Sequence, residues 1–190
     1  MDRFDEFLDH LLRAEGGWSD DPVDPGGATN MGVTLKTFTA VAQRLLDVEP
    51  TRENLRKLTR DQAGKIYREL YWDRLGVDRL GERREDAVLA IAYADFFVNA
   101  GAHAVRTMQR CLNDAHPAAK PIAVDGVPGP GTLGVLCQCD RHDLYRRLRE
   151  ARIAYYRELA DRRPELGKFL NGWLRRVDQL PKPEREGSAP

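Results

Sequence analysis

Apolar residues recur at helical spacing along most of the chain. Phe4, Phe7, Leu8, Leu11 and Leu12 fall at the i, i+3, i+4, i+7 and i+8 positions, which predicts an amphipathic helix over 2–15, stopped by Gly16-Gly17. The pattern then breaks. Pro22, Pro25, Gly26 and Gly27 lie among Asp20, Asp21, Asp24, Thr29 and Asn30, a density of turn formers that predicts a long loop, or at most a short hairpin within 18–33. Helical spacing resumes at Thr34, a cap, and runs to Leu46 with Leu35, Phe38, Val41, Ala42 and Leu45 inward. Thr59-Arg60-Asp61-Gln62 reads as a capping box that opens a helix through Tyr71. Glu85 to Val98 is the most apolar segment, with Val88, Leu89, Ile91, Ala92, Phe96 and Phe97 nearly encircling it, so this helix is expected at the centre of the fold. Further helices are expected over 102–113, 133–137, 144–159 and 169–180, with a long turn over 124–131 and a tail over 181–190 that is disordered by composition. With no internal repeat and no alternating strand beyond the short hairpin, the fold class is all α or mainly α.

Composition narrows the functional classes. The chain has 190 residues, 42% hydrophobic, enough to bury a core and to exclude wholesale disorder. Thirty basic residues balance thirty acidic ones, so no global charge calls for a nucleic-acid partner. The balance conceals a gradient: residues 1–100 carry 19 acids and 14 bases, residues 101–190 carry 11 acids and 16 bases. Of the bases 24 are Arg, whose rigid fork suits carboxylates and phosphates, although the base composition of a gene produces the same bias. No apolar run approaches the length of a membrane span, and no stable membrane insertion is expected. The opening Met1-Asp2-Arg3-Phe4-Asp5-Glu6 lacks the features of a signal peptide. Cys111, Cys137 and Cys139 are odd in number, and Cys137 and Cys139 are too close for a CxxC pair, which favours structural thiols. The four His, at 10, 103, 116 and 142, share no metal-ligand spacing, so neither metal nor cofactor is expected.

The irregular stretch after the first helix holds the candidate chemistry. A long loop rich in Gly and acids is more often functional than structural. It starts from Glu15, at the last turn of the helix, where negative charge meets the negative end of the helix dipole and ionisation is disfavoured. A carboxylic acid kept protonated near neutral pH is what glycoside hydrolysis needs for protonating a leaving oxygen. Asp24 follows nine residues later and Thr29 five after that, a second acid and a hydroxyl able to hold a water. Asp20 and Asp21 compete for the second-carboxylate role, although Asp21, directly before Pro22, is also a turn initiator.

The run Glu15-Gly16-Gly17-Trp18-Ser19-Asp20-Asp21-Pro22-Val23-Asp24-Pro25-Gly26-Gly27-Ala28-Thr29-Asn30-Met31-Gly32-Val33-Thr34 resembles the signature of glycoside hydrolase family 108, the bacterial and phage N-acetylmuramidases. Tyr67, Tyr71-Trp72-Asp73 and Ala94-Asp95-Phe96-Phe97-Val98-Asn99-Ala100-Gly101 are similar to later blocks of that family. Asp125 to Thr132 and Phe169 to Val177 resemble the peptidoglycan-binding region that accompanies it.

The resemblance implies a lysozyme-like, mainly helical fold that cleaves the β-1,4 bond between N-acetylmuramic acid and N-acetylglucosamine. It assigns the catalytic acid to Glu15. In the similar phage lysozymes an Asp nine residues after the Glu, and a Thr six beyond it, position the water. Asp24 matches that spacing, but the sixth residue beyond it is Asn30, which leaves the third member open between Thr29 and Thr34. Trp18, Asp21, Asn30, Tyr71 and Trp72 are candidate sugar contacts, with core packing the competing role for Tyr71 and Trp72. Asp95 and Asn99 share one helical face and either line the cleft or brace the catalytic loop.

The Asp125 to Thr132 turn either binds wall or serves as a rigid connector. The expected division is a catalytic region over 1–101, a peptidoglycan-binding region over 102–180 packed with it as one body, and the tail. Expected partners are peptidoglycan glycan strands, met by a monomer in the periplasm, the cell wall or outside the cell, with a holin or a secretion apparatus providing export. Two other readings stay open: a non-catalytic wall-binding or secretion-accessory protein, and a related chitinase or chitosanase.

Overall fold

A computed structural model describes residues 2–14, 17–20, 27–116 and 120–183. The fold class is mainly α, as the periodicity predicts, and the one sheet among the described residues is a two-stranded hairpin. The chain divides into two compact units, residues 1–72 and 73–190.

In the first unit, α1 (Arg3–Ala14) is followed by β1 (Thr29–Asn30), β2 (Val33–Thr34), α2 (Leu35–Val41), α3 (Arg52–Arg56) and α4 (Arg60–Tyr67). The apolar stripe of α1 is buried at Phe4, Phe7, Leu8 and Leu11. Phe4 and Phe7 close on the fully buried Trp72, with ring centroids 5.6 and 5.1 Å away. The α4 backbone comes close to α1 at Gly64, where a Cβ would stand 3.0 Å from a methyl of Leu8. Thr34 caps α2 by accepting the Thr37 N–H, and Thr59 with Gln62 forms the expected capping box on α4. Both helices then widen into π-helical turns, Ala42–Leu46 and Arg68–Trp72, so each ends as a different helix type from the α-helix its apolar spacing predicts.

The second unit contains α5 (Asp73–Leu75), α6 (Arg84–Ala100), α7 (Ala102–Ala115), α8 (Pro130–Leu136), α9 (Arg141–Arg162) and α10 (Leu170–Asp178), with 3₁₀ turns at Val77–Arg79 and Pro164–Phe169. Helices α6, α7 and α9 pack on one another, and α10 packs on α9. α6 is buried almost all round, from Val88 through Phe97, as its composition predicts. α9 is longer than its apolar pattern because Asp140 caps it four residues before Leu144, accepting the Asp143 N–H at 2.7 Å. The expected terminal helix is α10, which starts one residue later than expected and ends two earlier, with the 3₁₀ turn leading into it. Of the expected tail, residues 184–190 lie outside the described residues.

No described helix is long and apolar enough to cross a membrane.

Candidate active site

The loop after α1 is fixed at both of its described ends. Ser19 and Thr29 exchange two backbone hydrogen bonds of 2.8 Å each, an antiparallel bridge. Thr29 and Asn30 then pair antiparallel with Thr34 and Val33. The two-residue turn between the strands holds Met31 at φ 49° and Gly32 at φ 75°, the left-handed pair that matches strand twist in a tight hairpin. Leu35 N–H donates to the Ala28 carbonyl at 2.8 Å, joining the hairpin to the start of α2.

The short helix α3 does most of the bracing. Asn30 is buried, and its Nδ2 donates to the carbonyls of Leu55 and Arg56 at 2.9 and 3.0 Å. Those carbonyls close the end of a helix, where partners are otherwise scarce. Arg56 places its guanidinium 5.8 Å from the centre of the Trp18 ring, and Arg52 forms an ion pair with Asp20. A third tie comes from α4: the Tyr67 hydroxyl donates to the Met31 carbonyl at 2.9 Å, and Tyr71, half-buried, lies 5.6 Å from the Tyr67 ring. Thr29 keeps its hydroxyl local, donating to the Gly27 carbonyl at 3.3 Å, while the Thr34 hydroxyl caps α2.

Trp18, Thr29, Asn30 and Tyr71 thus belong to the first unit. Glu15, Asp21 and Asp24 lie outside the described residues. The sequence reading missed Arg52, Arg56 and Tyr67 as parts of this scaffold. Thr51, the N-cap of α3, is the local signal that could have found the first two, since it accepts the Asn54 N–H at 3.1 Å. On the same unit a cavity of about 300 Å³ opens between α1 and α4, lined by Asp9, Leu12, Arg13 and Arg60, with Arg60 paired to Asp9 at 2.6 Å.

Asp95 and Asn99 lie in the second unit. Asp95 is fully buried, held by Arg152 at 2.7 Å and by Arg176 at 2.8 Å, so its carboxylate joins three helices, α6, α9 and α10. Asn99 donates back to the Asp95 main-chain carbonyl at 2.7 Å. A second buried pair, Asp86 with Arg141 at 2.6 Å, fastens the start of α6 to the start of α9. Burial pushes the Asp86 carboxyl up, but hydrogen bonds from Arg141 and Arg83 and the Arg141 charge outweigh it and hold the group below the usual carboxylate range.

The turn before α8 is organised by Gln109. Its Nε2 donates to Asp125 Oδ1 at 2.8 Å, to the Val127 carbonyl at 3.2 Å and to Thr132 Oγ1 at 3.2 Å, and its Oε1 accepts from Gly126 N–H at 2.9 Å. Burial raises the Cys111 thiol to about 11 and raises Cys139 as well, so neither is a ready nucleophile.

A family model described as Glycosyl hydrolase 108 matches residues 8–101, and one described as Predicted Peptidoglycan domain matches residues 103–178. Among solved structures, that of Brucella abortus SagA is similar, at 32% identity and a TM-score of 0.71, over 93% of this chain and 90% of that chain. No curated protein matches the chain.

Proposed function

The chain belongs to the Glycosyl hydrolase 108 family, and from that premise we propose that it is an N-acetylmuramidase, cleaving the β-1,4 bond between N-acetylmuramic acid and N-acetylglucosamine. Hydrolysis of a glycan and attachment to peptidoglycan are the coarser activities that the two matched models describe. The finer reading rests on the loop. Ser19 and Thr29, which bracket Asp24 in sequence and follow Glu15, are hydrogen-bonded in both directions, and the strand that carries Thr29 is braced by α3 through Asn30.

In this mechanism Glu15, protonated, gives its proton to the glycosidic oxygen as positive charge develops on the sugar. Asp24 orients or activates a water on the other face of the ring, and the Thr29 hydroxyl holds that water. Two observations favour these choices over the alternatives. The Asp20 carboxylate is engaged by Arg52, and the Thr34 hydroxyl accepts the α2 capping bond, while the Thr29 hydroxyl only donates, to the Gly27 carbonyl, and keeps its lone pairs for accepting from a water. Trp18, Asp21 and Tyr71 contact the sugar chain. Asn30 acts through the main chain it holds in place, and Asp95 braces the second unit, since burial and two arginines leave the carboxylate no open face, while the exposed Asn99 bonds only within its own helix.

The proposed division of labour is a catalytic region over 1–101 and a wall-binding region over 102–180. The protein acts as a monomer at the cell wall or in the extracellular space, and reaches it through a holin or a secretion apparatus. The test is clearance of purified peptidoglycan by the Glu15→Gln variant. A lost general acid lowers the rate roughly a hundredfold or more while folding is unchanged. A folded Glu15→Gln variant with full activity removes Glu15 from the acid role. A wild-type chain that sediments with wall but releases no reducing ends is a binding protein, and one that degrades chitin but leaves muropeptides intact is a chitinase.

A further inference from the structure

Five aromatic rings run in contact through the C-terminal part of the second unit. His103 lies 4.6 Å from Tyr155, Tyr155 lies 5.4 Å from Tyr156, Tyr156 stacks on Trp173 at 5.2 Å and 24°, and Trp173 meets Phe169 at 6.0 Å and 34°. Tyr156 is buried, Trp173 half-buried, and Phe169 is 47% exposed. Among the described residues Phe169 and Val127 are the two exposed large apolar side chains, so the ladder ends at an unusual place. Its inner part is rigidly held: the Tyr156 hydroxyl accepts from Arg152 Nε at 3.1 Å, and Arg152 and Arg176 share the buried Asp95.

The surface beside Phe169 and Trp173 is bare and basic. Gly167 and Gly172 flank the two rings, and a Cβ at either position would meet nothing within 4 Å. Neither glycine has the positive φ that would require the residue, and Gly172 sits inside α10, where glycine weakens a helix. Packing and backbone conformation therefore do not account for Gly172, which leaves the surface bare beside the exposed Phe169. The stretch 162–176 carries Arg162, Arg163, Lys168, Arg175 and Arg176 against one acid, Glu165. Arg162 pairs with Glu158 and Arg176 with Asp95, while Arg163, Lys168 and Arg175 face no carboxylate among the described residues. Lys168 Nζ stands 4.9 Å from the Phe169 ring, and Phe169 and Trp173, four residues apart, share one face of the helix.

An aromatic face stacks on the C–H face of a pyranose, and free cations match carboxylates. We propose that Phe169 and Trp173, with Lys168, form a glycan-binding platform on the second unit that takes a carboxylate-bearing sugar chain. It rests on the peptidoglycan reading above and assigns to particular residues an attachment that the matched Predicted Peptidoglycan domain leaves unlocated.

The test uses the full chain carrying Glu15→Gln, so that the wall is not digested, sedimented with purified sacculi. Phe169→Ala should weaken binding about tenfold, the effect of one strong interface contact. Phe169→Trp should restore it, and Phe169→Leu, apolar without a ring, should not. Gly172→Gln, a better helix former, should keep or raise the melting temperature while weakening sacculus binding. Unchanged binding by folded Phe169→Ala and Gly172→Gln overturns the platform and leaves the peptidoglycan reading intact. A parent chain that does not bind sacculi at all overturns that reading, and the platform with it.

Discussion

Replacing Asn30 by Ala should both destabilise the first unit and slow catalysis, and the size of each effect follows from two hydrogen bonds. The Asn30 amide serves the Leu55 and Arg56 carbonyls together, at 2.9 and 3.0 Å, from a position 6% exposed. The Leu55 carbonyl keeps a second donor, the Leu58 N–H at 3.1 Å, so it loses one bond of two, about 0.5–1.5 kcal/mol. No second donor to the Arg56 carbonyl is found among the described residues, and an unsatisfied partly buried carbonyl costs about 1–3 kcal/mol. The expected loss is therefore about 2–4 kcal/mol in equilibrium urea unfolding followed by tryptophan fluorescence. Because β1 carries Thr29 next to Asn30, the loosened strand should also lower kcat by about tenfold or more on soluble glycan.

Asn30→Asp sharpens the test. A carboxylate facing two carbonyl oxygens is repelled, so the variant should be less stable than Asn30→Ala at neutral pH. Such a group has its pKa raised in the fold, so its penalty is smallest below the unfolded carboxyl value near ~3.9 and grows as the pH rises through that range. A loss under about 0.5 kcal/mol for Asn30→Ala, or an Asp variant as stable as wild type at neutral pH, refutes the bracing role of α3.

Other consequences concern the second unit. Asp95→Ala leaves Arg152, 1% exposed, and Arg176 without their shared carboxylate, and should cost about 3–5 kcal/mol in denaturant unfolding. The Asp86 carboxyl, held below its ordinary range by Arg141 and Arg83, contributes stability above the unfolded value near ~3.9 and loses it as the pH falls through the folded value. Thermal unfolding should accordingly show a steep acid limb in wild type and a shallower one in Asp86→Asn. Gly126→Ala combines a φ of +81° with a Cβ 2.9 Å from the Arg106 guanidinium carbon and 3.0 Å from the Ala102 carbonyl, and should cost about 1–3 kcal/mol, whereas Gly131→Ala, whose Cβ meets nothing, should be nearly silent.

Elements with a strong local signal were legible. The stripe of α1, the cap and box residues Thr34, Thr59 and Gln62, and the wholly apolar α6 all follow from spacing and side-chain chemistry within one segment. α3 was not read, because five residues cannot display a 3.6-residue period, and with it went Arg52 and Arg56. The π-helical turns after α2 and α4 insert an extra residue per turn, which no residue type announces. Asp95 was recognisable as expensive to bury alone, but its partners Arg152 and Arg176 lie 57 and 81 residues away, beyond any local pattern. The same is true of Arg141, which looks like a solvated helix start and is buried against Asp86, 55 residues earlier. The glycine-rich motif after α1 gave the candidate acid and its companions directly, since irregular backbone and clustered carboxylates carry their chemistry in the sequence itself.

The central claim is muramidase chemistry, and the composition of the products tests it most directly. Purified sacculi digested by the wild-type chain, reduced with borohydride and analysed by mass spectrometry should yield muropeptides ending in reduced N-acetylmuramic acid, and the Glu15→Gln variant should yield almost none. Products ending in reduced N-acetylglucosamine, or ending in a form that borohydride does not reduce, would contradict the account.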